Sequence, residues 1–544
     1  MIRLLGPKTQ ENNRHDIVLL SFGLKILQMI SRRQMMVATS AAAICGCCRS
    51  AVPKRASLRD YLPANQHDAP SGEFTSEIQR AINETARDGA ELIIPAGTYW
   101  LVPMQSLMHA DPSFACHAAL RLRSSLRLRA EPGAHFVMAA GLSSDTAPRA
   151  MVMFGADDPL SDISISGLTM DMNGATNPIS PRRRERIFSR LPQAHIFVSG
   201  GTGQEAARID NCHIARCLFT GSPGVSCIVS GQSNAADAVI GRGWLITSNR
   251  FSSNGFDTDD HSSIFGQTNT MVIRNNRFDN PAVYNGTGGN TAHEVHGADH
   301  LFERNKVHNY LRGVWVSSSY AAPTTGTKIL NNEFRTMFYG VDFFRDSNRL
   351  EKITGTTIMG NDFFFDDSDY PDLDLKAAVQ VASPYAQSMI NISANSVTKT
   401  GAGLASAFLV IAQGQNGPGV HDLIDAIDNQ GSGLTFGIFL RTSPTSGLGR
   451  LRFLDNRWTG LRPAGAFAIA AGCIAEHTGA IQPIASLTIG GGDSIGESEP
   501  VPALLVNTQI RSLTLKPVTV GAPQHAMIRG GAGGIETISG SLTR

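Results

Sequence analysis

Past about residue 120 the apolar residues come in short runs, each closed by Gly, Asn or Asp, and no stretch keeps a helical period. One phrase recurs: "WLITSNRFSSN", "MVIRNNRFDNP", "HLFERNKVHNY", "TKILNNEFRTM", "TTIMGNDFFFD" and later "LRFLDNRWTGL". Its asparagines align at Asn249, Asn276, Asn305, Asn332 and Asn361, with spacings of 27, 29, 27 and 29 residues. A period of that size marks a stacked repeat. Each repeat holds short strands and no helix, which excludes leucine-rich, ankyrin and tetratricopeptide arrays, and it is shorter than the roughly 40 residues of a propeller blade. The pattern predicts an all-β parallel β-helix, each coil giving short strands to separate sheets. The turn asparagine is expected to adopt the left-handed conformation and to hydrogen-bond along the stack.

Ahead of the coils, "FTSEIQRAINETARDGAELIIPAGTYWL" breaks the pattern once. Thr75 reads as an N-cap, Ile78, Ala81 and Ile82 as an apolar helix face, and Gly89 as the stop. A strand, a turn and a second strand follow. The helix is expected to cap the first coil, whose core and strand edges would otherwise be open. This gives four segments: 1–50, an export signal with an upstream extension; 51–72, a linker; 73–500, the β-helix; 501–544, terminal coils or a C-terminal cap. The helix, Gly89 and "AELIIPAGTYWL", followed by N-x-F coils, resemble the pectate-lyase-like right-handed parallel β-helix superfamily over about residues 60 to 500. That resemblance implies a right-handed solenoid with an N-terminal capping α-helix. It also implies a carbohydrate polymer as ligand, since the superfamily holds polysaccharide lyases, glycoside hydrolases, uronate epimerases and phage tailspikes.

Charge changes the picture little. The net charge is +1 and 17% of residues are charged, against roughly 25% in average proteins, so neither nucleic acid nor an anionic membrane is expected as a partner. "SRRQMMVATSAAAICGCC" carries Arg32-Arg33 ahead of an apolar stretch too short to span a bilayer, and resembles a twin-arginine export signal. The expected location is therefore periplasmic or extracellular, with Met29 as the start and Cys47 as an optional lipid attachment point. Three of the eight cysteines lie in this leader. The other five form no C-x-x-C pair, so neither a zinc ribbon nor dependence on disulfides is expected.

The candidate chemistry lies where polar clusters fall on consecutive coils. Gly313 and Gly340 each lie eight residues after a repeat asparagine, and eight after Asn249 is Asp257. Counted this way, Thr258-Asp259-Asp260 occupies the strand that reads Val314-Trp315-Val316 and Val341-Asp342-Phe343 in later coils. Alternation then turns Val314 and Val341 inward, and Asp259, Trp315 and Asp342 outward. Asp260 would face inward unless the strand ends or bulges there, or unless His261 partners it. In "NGTGGNTAHEVHGADH", Val295-His296-Gly297 matches Ile264-Phe265-Gly266, which stacks His293 and Glu294 on Ser262 and Ser263, about 4.8 Å away.

Asp259, Asp260, Glu294, His261 and His293 are thus the candidate catalytic residues. Asp257, His296, Arg312, Trp315, Asp342 and Arg345 are the candidate substrate-binding residues, with aromatic rings for pyranose faces and arginines for carboxylated sugars. Glycoside hydrolysis by paired carboxylates is the first expectation, and "DTDD" resembles the N-T-D and D-D motifs of polygalacturonases. Uronate β-elimination or C5-epimerisation is the alternative, with His261 and His293 as acid or base. For that reading "GFDTDDHSS" resembles the D-P-H-D motif of alginate C5-epimerases, Asp257 and Asp260 standing in the two aspartate places. A non-catalytic glycan-binding spike is the third reading. No cofactor is required by the first; Ca²⁺ on Asp257, Asp259 and Asp260 serves a lyase variant. The two histidines of "HEVH" face opposite sides of a strand, so a zinc site from that pair is not expected. The basic run 180–190 and the acidic run 363–374 read as loops. Either a monomer or a homotrimer fits.

Overall fold

The computed structural model describes residues 54–68, 70–107, 115–142, 149–179, 193–198, 207–232, 239–258, 260–280, 290–317, 323–335, 338–344, 353–366, 374–383, 387–401, 403–413, 421–441, 448–462, 472–476, 484–490, 494–495, 504–506, 510–515, 519–520, 528–530 and 535–540. The chain divides into Met1–Lys54 and Arg55–Arg544, and the fold is that of the second unit. Arg32-Arg33, Met29 and Cys47, the basic run 180–190, and the site candidates Asp259 and Arg345 lie outside the described residues. Among the described residues no helix is long and apolar enough to cross a membrane.

Among the described residues the unit is built of three sheets, of 17, 15 and 15 strands. One coil runs through Gly241–Thr247 in the first sheet, Arg250–Ser252 in the second and Ser262–Gly266 in the third; the next repeats this with Val272–Arg274, Arg277–Asp279 and Thr291–Val295. Strand pairing from coil to coil is parallel, and the exception among the described strands is Gln105–Leu107 against Ala115–Arg121. The chain is a right-handed parallel β-helix, the hand that parallel crossovers almost always take.

The capping helix spans Thr75–Asp88 and buries Ile78, Ala81 and Ile82. Thr75 is its first residue rather than its cap: Glu73 accepts the Thr75 N–H at 2.8 Å, and the Thr75 hydroxyl accepts from Val102 at 3.0 Å. Gly89 ends the helix at φ 65, where a left-handed residue is needed. Gln79 clamps the helix to the third sheet, accepting from the Arg121 amide at 2.6 Å and donating to its carbonyl at 3.2 Å. A side-chain amide thereby occupies backbone groups that the first coil leaves open. The linker expected over 51–72 is part of the fold. Arg55–Ser57 pairs with Glu91–Ile94, Leu58 is fully buried, and Ser71–Glu73 opens the second sheet. Pairing continues to Ile535–Gly540 in the first sheet, so coils extend past residue 500.

The lumen is held by ladders. Asn249, Asn276, Asn305, Asn332, Asn361, Asn395, Asn429 and Asn456 are all buried. The Asn249 side-chain oxygen accepts from the Cys217 amide, and each later one accepts from the preceding asparagine: Asn305 N and Nδ2 lie 2.8 and 3.1 Å from Asn332 Oδ1, and Asn332 N and Nδ2 each lie 2.9 Å from Asn361 Oδ1. The left-handed conformation falls one residue earlier than expected, on Ser248, Asn275, Arg304, Asn331, Gly360, Ala394, Asp428 and Asp455. That residue turns the chain so that the asparagine amide points inward. Two residues after Cys217, Asn249 and Asn276 the rings stack: Phe219, Phe251 and Phe278 follow at 4.7 Å centroid spacing. Cys116, Cys212, Cys217 and Cys227 are buried free thiols.

Asn332→Ala removes the acceptor of both Asn305 donors, at a cost of about 1–3 kcal/mol for each donor left buried and unsatisfied. Urea unfolding followed by circular dichroism should show a lower midpoint for Asn332→Ala and an unchanged or higher one for Asn331→Gly, whose position holds φ 54. Equal midpoints for wild type and Asn332→Ala would show that the ladder does not hold the coils.

Candidate functional site

Observed register aligns the third-sheet strands as AHIFV, SCIVS, SSIFG, TAHEV, RGVWV, YGVDF, AAVQV, AFLVI and FGIFL, beginning at Ala194, Ser226, Ser262, Thr291, Arg312, Tyr339, Ala377, Ala407 and Phe436. The third column faces the lumen. The fourth faces outward and reads Phe197, Val229, Phe265, Glu294, Trp315, Asp342, Gln380, Val410, Phe439. It is apolar, then polar or amphipathic for four coils, then apolar again. Phe197 and Val229 belong to an apolar cluster with Leu107, Val152 and Ile179; Val410 and Phe439 belong to another with Leu375 and Phe436. The site is the polar window between these two covered patches.

A cavity of about 290 Å³ opens at the start of the window. Phe197, Val225, Val229 and Phe265 form its apolar wall; Ser226, Gln232, Asp260, Ser262 and Glu294 supply polar groups, and Trp315 adds an aromatic edge. Glu294 is fixed at both oxygens: the Ser262 hydroxyl donates to Oε2 at 2.6 Å, and His296 Nε2 donates to Oε1 at 2.7 Å. His296 in turn packs on the Phe265 ring at 4.6 Å. Burial alone would raise the Glu294 pKa, but His296, Ser262 and then Arg312 outweigh it and hold it below the ordinary glutamate value.

Arg312 Nε donates to Asp342 Oδ2 at 2.8 Å, and its guanidinium lies 4.8 Å from the Trp315 ring and 6.0 Å from that of Tyr339. Burial raises the Asp342 pKa, and Arg312 and Gln380 offset this only in part. Burial, with the Asp342 charge second, pushes the Tyr339 hydroxyl up to about 12.

The structure brings Asp260, Glu294, His296, Arg312, Trp315 and Asp342 to one outer face, and it moves others away. Thr258 and Asp260 lie in the turn ahead of Ser262 rather than in a strand; Ile264, 15 residues after Asn249, pairs with His293, which pairs with Val314, and Val314 comes 9 after Asn305. The turns differ in length, so counting from the asparagine fails there. Asp260 is exposed, its N–H bonded to the Thr258 hydroxyl at 3.2 Å, and needs no bulge to escape the core. Asp257 lies in the same turn, its N–H on the Pro223 carbonyl. Phe265 pairs with Glu294 rather than with His296, a register two residues from the expected one.

His261 and His293 face the lumen and are not placed to act as catalysts. His261 Nδ1 meets the Gly224 carbonyl at 2.7 Å, its Nε2 meets Ser263 Oγ at 3.1 Å, and burial pushes its pKa down to about 4. His293 sits below Glu294 with its ring on the Ile264 carbonyl. Gly255, at φ 71, starts the turn that delivers His261, and a Cβ there would run into His261 and Asn290. Among the described residues no three His, Cys, Asp or Glu side chains gather as a metal site would require. Ser262, Phe265, Gln232 and Gln380 were not legible as site residues from their own motifs. The outward column makes Phe265 and Gln380 visible once the strands are aligned by their lumen residues; Ser262 and Gln232 are found from the cavity they line.

Neither a scan against protein-family models nor a search of curated proteins returned a match. Solved structures do match. The tailspike protein of E. coli bacteriophage HK620 in complex with a pentasaccharide is 14% identical, over 89% of this chain and 78% of that one, with a TM-score of 0.60. A double mutant of that tailspike gives a TM-score of 0.64 and a single mutant bound to pentasaccharide 0.61, at the same identity and coverage. At this identity the likeness concerns architecture: the chain shares the right-handed parallel β-helix of these tailspikes.

Proposed function

We propose that this chain is a carbohydrate-active β-helix protein that binds a glycan across the polar window of the third sheet and hydrolyses a glycosidic bond there. The observation that carries the reading is one cavity holding Glu294, Asp260 and Trp315 against an apolar wall. Such a pocket suits a sugar ring, which offers an apolar face to an aromatic ring and hydroxyls to serines, amides and carboxylates. The similarity to tailspikes bound to a pentasaccharide supports it.

Glu294 supplies the ionised carboxylate. With its oxygens steadied by Ser262 and His296, it activates water or attacks the anomeric carbon. Asp260, exposed on the turn at the cavity, supplies the second carboxyl group and protonates the leaving oxygen. Trp315, backed by the Arg312 guanidinium, is the stacking platform. The uronate reading has less support. Its histidine bases face the lumen, and Arg312, which would neutralise a sugar carboxylate, is held by Asp342. Both Glu294 oxygens are already engaged, as they would be in a site that only binds, so turnover is the quantity to measure.

A panel of neutral and acidic polysaccharides should yield new reducing ends without the ultraviolet absorbance of an unsaturated uronate. Glu294→Gln and Asp260→Asn should each lower kcat by at least ~10²-fold with the oligosaccharide still bound. Undiminished turnover in both variants would remove the carboxylates from the reaction. Trp315→Ala should weaken binding about tenfold, the size of one aromatic contact of ~1–1.5 kcal/mol.

The pH profile has a definite sign. Glu294 is depressed in the folded protein, so it stays a carboxylate as pH falls through the usual glutamate range near ~4.3, and the acid limb of kcat/KM should lie below that. His296→Asn should shift the limb upward. A limb unmoved by this change would show that His296 does not set the charge of Glu294.

A further inference from the structure

Beneath Glu294, on the lumen side of the same strand, one polar ring interrupts an aliphatic column. The inward position is aliphatic from Ile196 to Ile264 and again from Val314 to Ile438, with His293 between. Its partner across the lumen is His300, which precedes Leu301–Glu303 of the first sheet and occupies the position of Met271 one coil back and Thr327 one coil on. Both rings are completely buried.

Hydrogen bonds through the pair do not balance with neutral rings. His293 Nδ1 lies 3.2 Å from the Ile264 carbonyl oxygen, and His300 Nε2 lies 2.6 Å from that of Thr268. Carbonyls only accept, so each of those nitrogens carries a proton. The two remaining nitrogens, His293 Nε2 and His300 Nδ1, face each other at 3.1 Å. The ring centroids are 5.3 Å apart with 12° between planes, so the rings meet edge to edge nearly in one plane, as an N–H···N bond requires. Three contacts need three protons, and two neutral imidazoles bring two. A metal ion on the line between the two nitrogens does not fit, because ~2 Å to each would need them ~4 Å apart, and among the described residues no third His, Cys, Asp or Glu joins them as a bent site would require.

We infer that the His293–His300 pair holds a third, shared proton in the folded protein at neutral pH and so carries one buried positive charge between two backbone carbonyls. The pair braces the Glu294 strand against the first sheet through the lumen. Around it, the Phe302 ring stacks on His293 at 5.9 Å, and His296 is the titratable neighbour that repels both rings. Glu294 projects from the other side of the strand, and Asp299 stands on the exposed turn before His300. Burial and these imidazoles disfavour charge on each ring taken singly, His300 down to about 4. The shared bond and the two carbonyls act against that. The proposal stands apart from any reading of the outer face, because it rests on proton count alone.

Two measurements test it. Spectra of ring-¹⁵N-labelled histidine in the wild-type protein at neutral pH should show three protonated nitrogens in the pair, one of them in a shared bond; two protonated nitrogens would overturn the inference. The second is stability against pH for wild type and His293→Val, which restores the aliphatic column. Unfolded histidines titrate near ~6.5, and stability falls with rising pH wherever the folded state binds the extra proton. Wild type should therefore lose stability relative to His293→Val as pH rises from neutral through the pair's titration. Curves that stay parallel there would overturn the inference. Should His293→Val not fold, the wild-type ring spectrum decides alone.

Discussion

A buried primary amide that accepts from the coil before it and donates to the coil after it sets the register of this solenoid. Asn276 shows the full pattern: its Oδ1 receives two donors from Asn249, while its Nδ2 reaches the Ile246 carbonyl and the Asn305 oxygen. Each rung is satisfied only if the next one is in place. A slipped coil would strand several buried polar groups at once, where the low dielectric makes them costly. Strands kept in step by the amides bring their outward residues into line, and the polar window of the third sheet exists only because of that alignment.

Within the window, one cation is shared unequally by two acids. Arg312 bonds Asp342 directly and acts on Glu294 from farther away. Asp342 nevertheless holds its proton more tightly than a free aspartate, because burial outweighs its partners. Glu294 is as deeply set, yet a hydroxyl and an imidazole complete its carboxylate. Two acids on one outward column, about 10 Å apart across two coils, are thus driven in opposite directions by what completes their hydrogen bonds.

Much of this was legible in the sequence, for a physical reason. The period, the asparagines and the capping helix are constraints on the core, and the core repeats. Parity along a strand is equally strict, so Val314 and Val341 were expected inward and Trp315 and Asp342 outward, as found. Turn length has no such constraint, because a lengthened turn costs little and disturbs no pairing. The turn ahead of Ser262 therefore carried the count off register and placed Asp260 on a strand. His261 and His293 misled for another reason. A polar residue bonded to carbonyls inside the lumen has the same letters as one facing solvent, and only the column of aliphatic residues on either side of His293 tells the two apart.

The outward column has a consequence for how such a protein changes through descent. Each coil adds a single outward side chain on a strand whose inward residues are already committed to the core. An exchange at Phe265 or Gln380 would lengthen or shorten the polar window by one rung and leave every ladder intact. The outward face can therefore change one residue at a time, whereas an exchange of a ladder asparagine strands the buried donors of its neighbour.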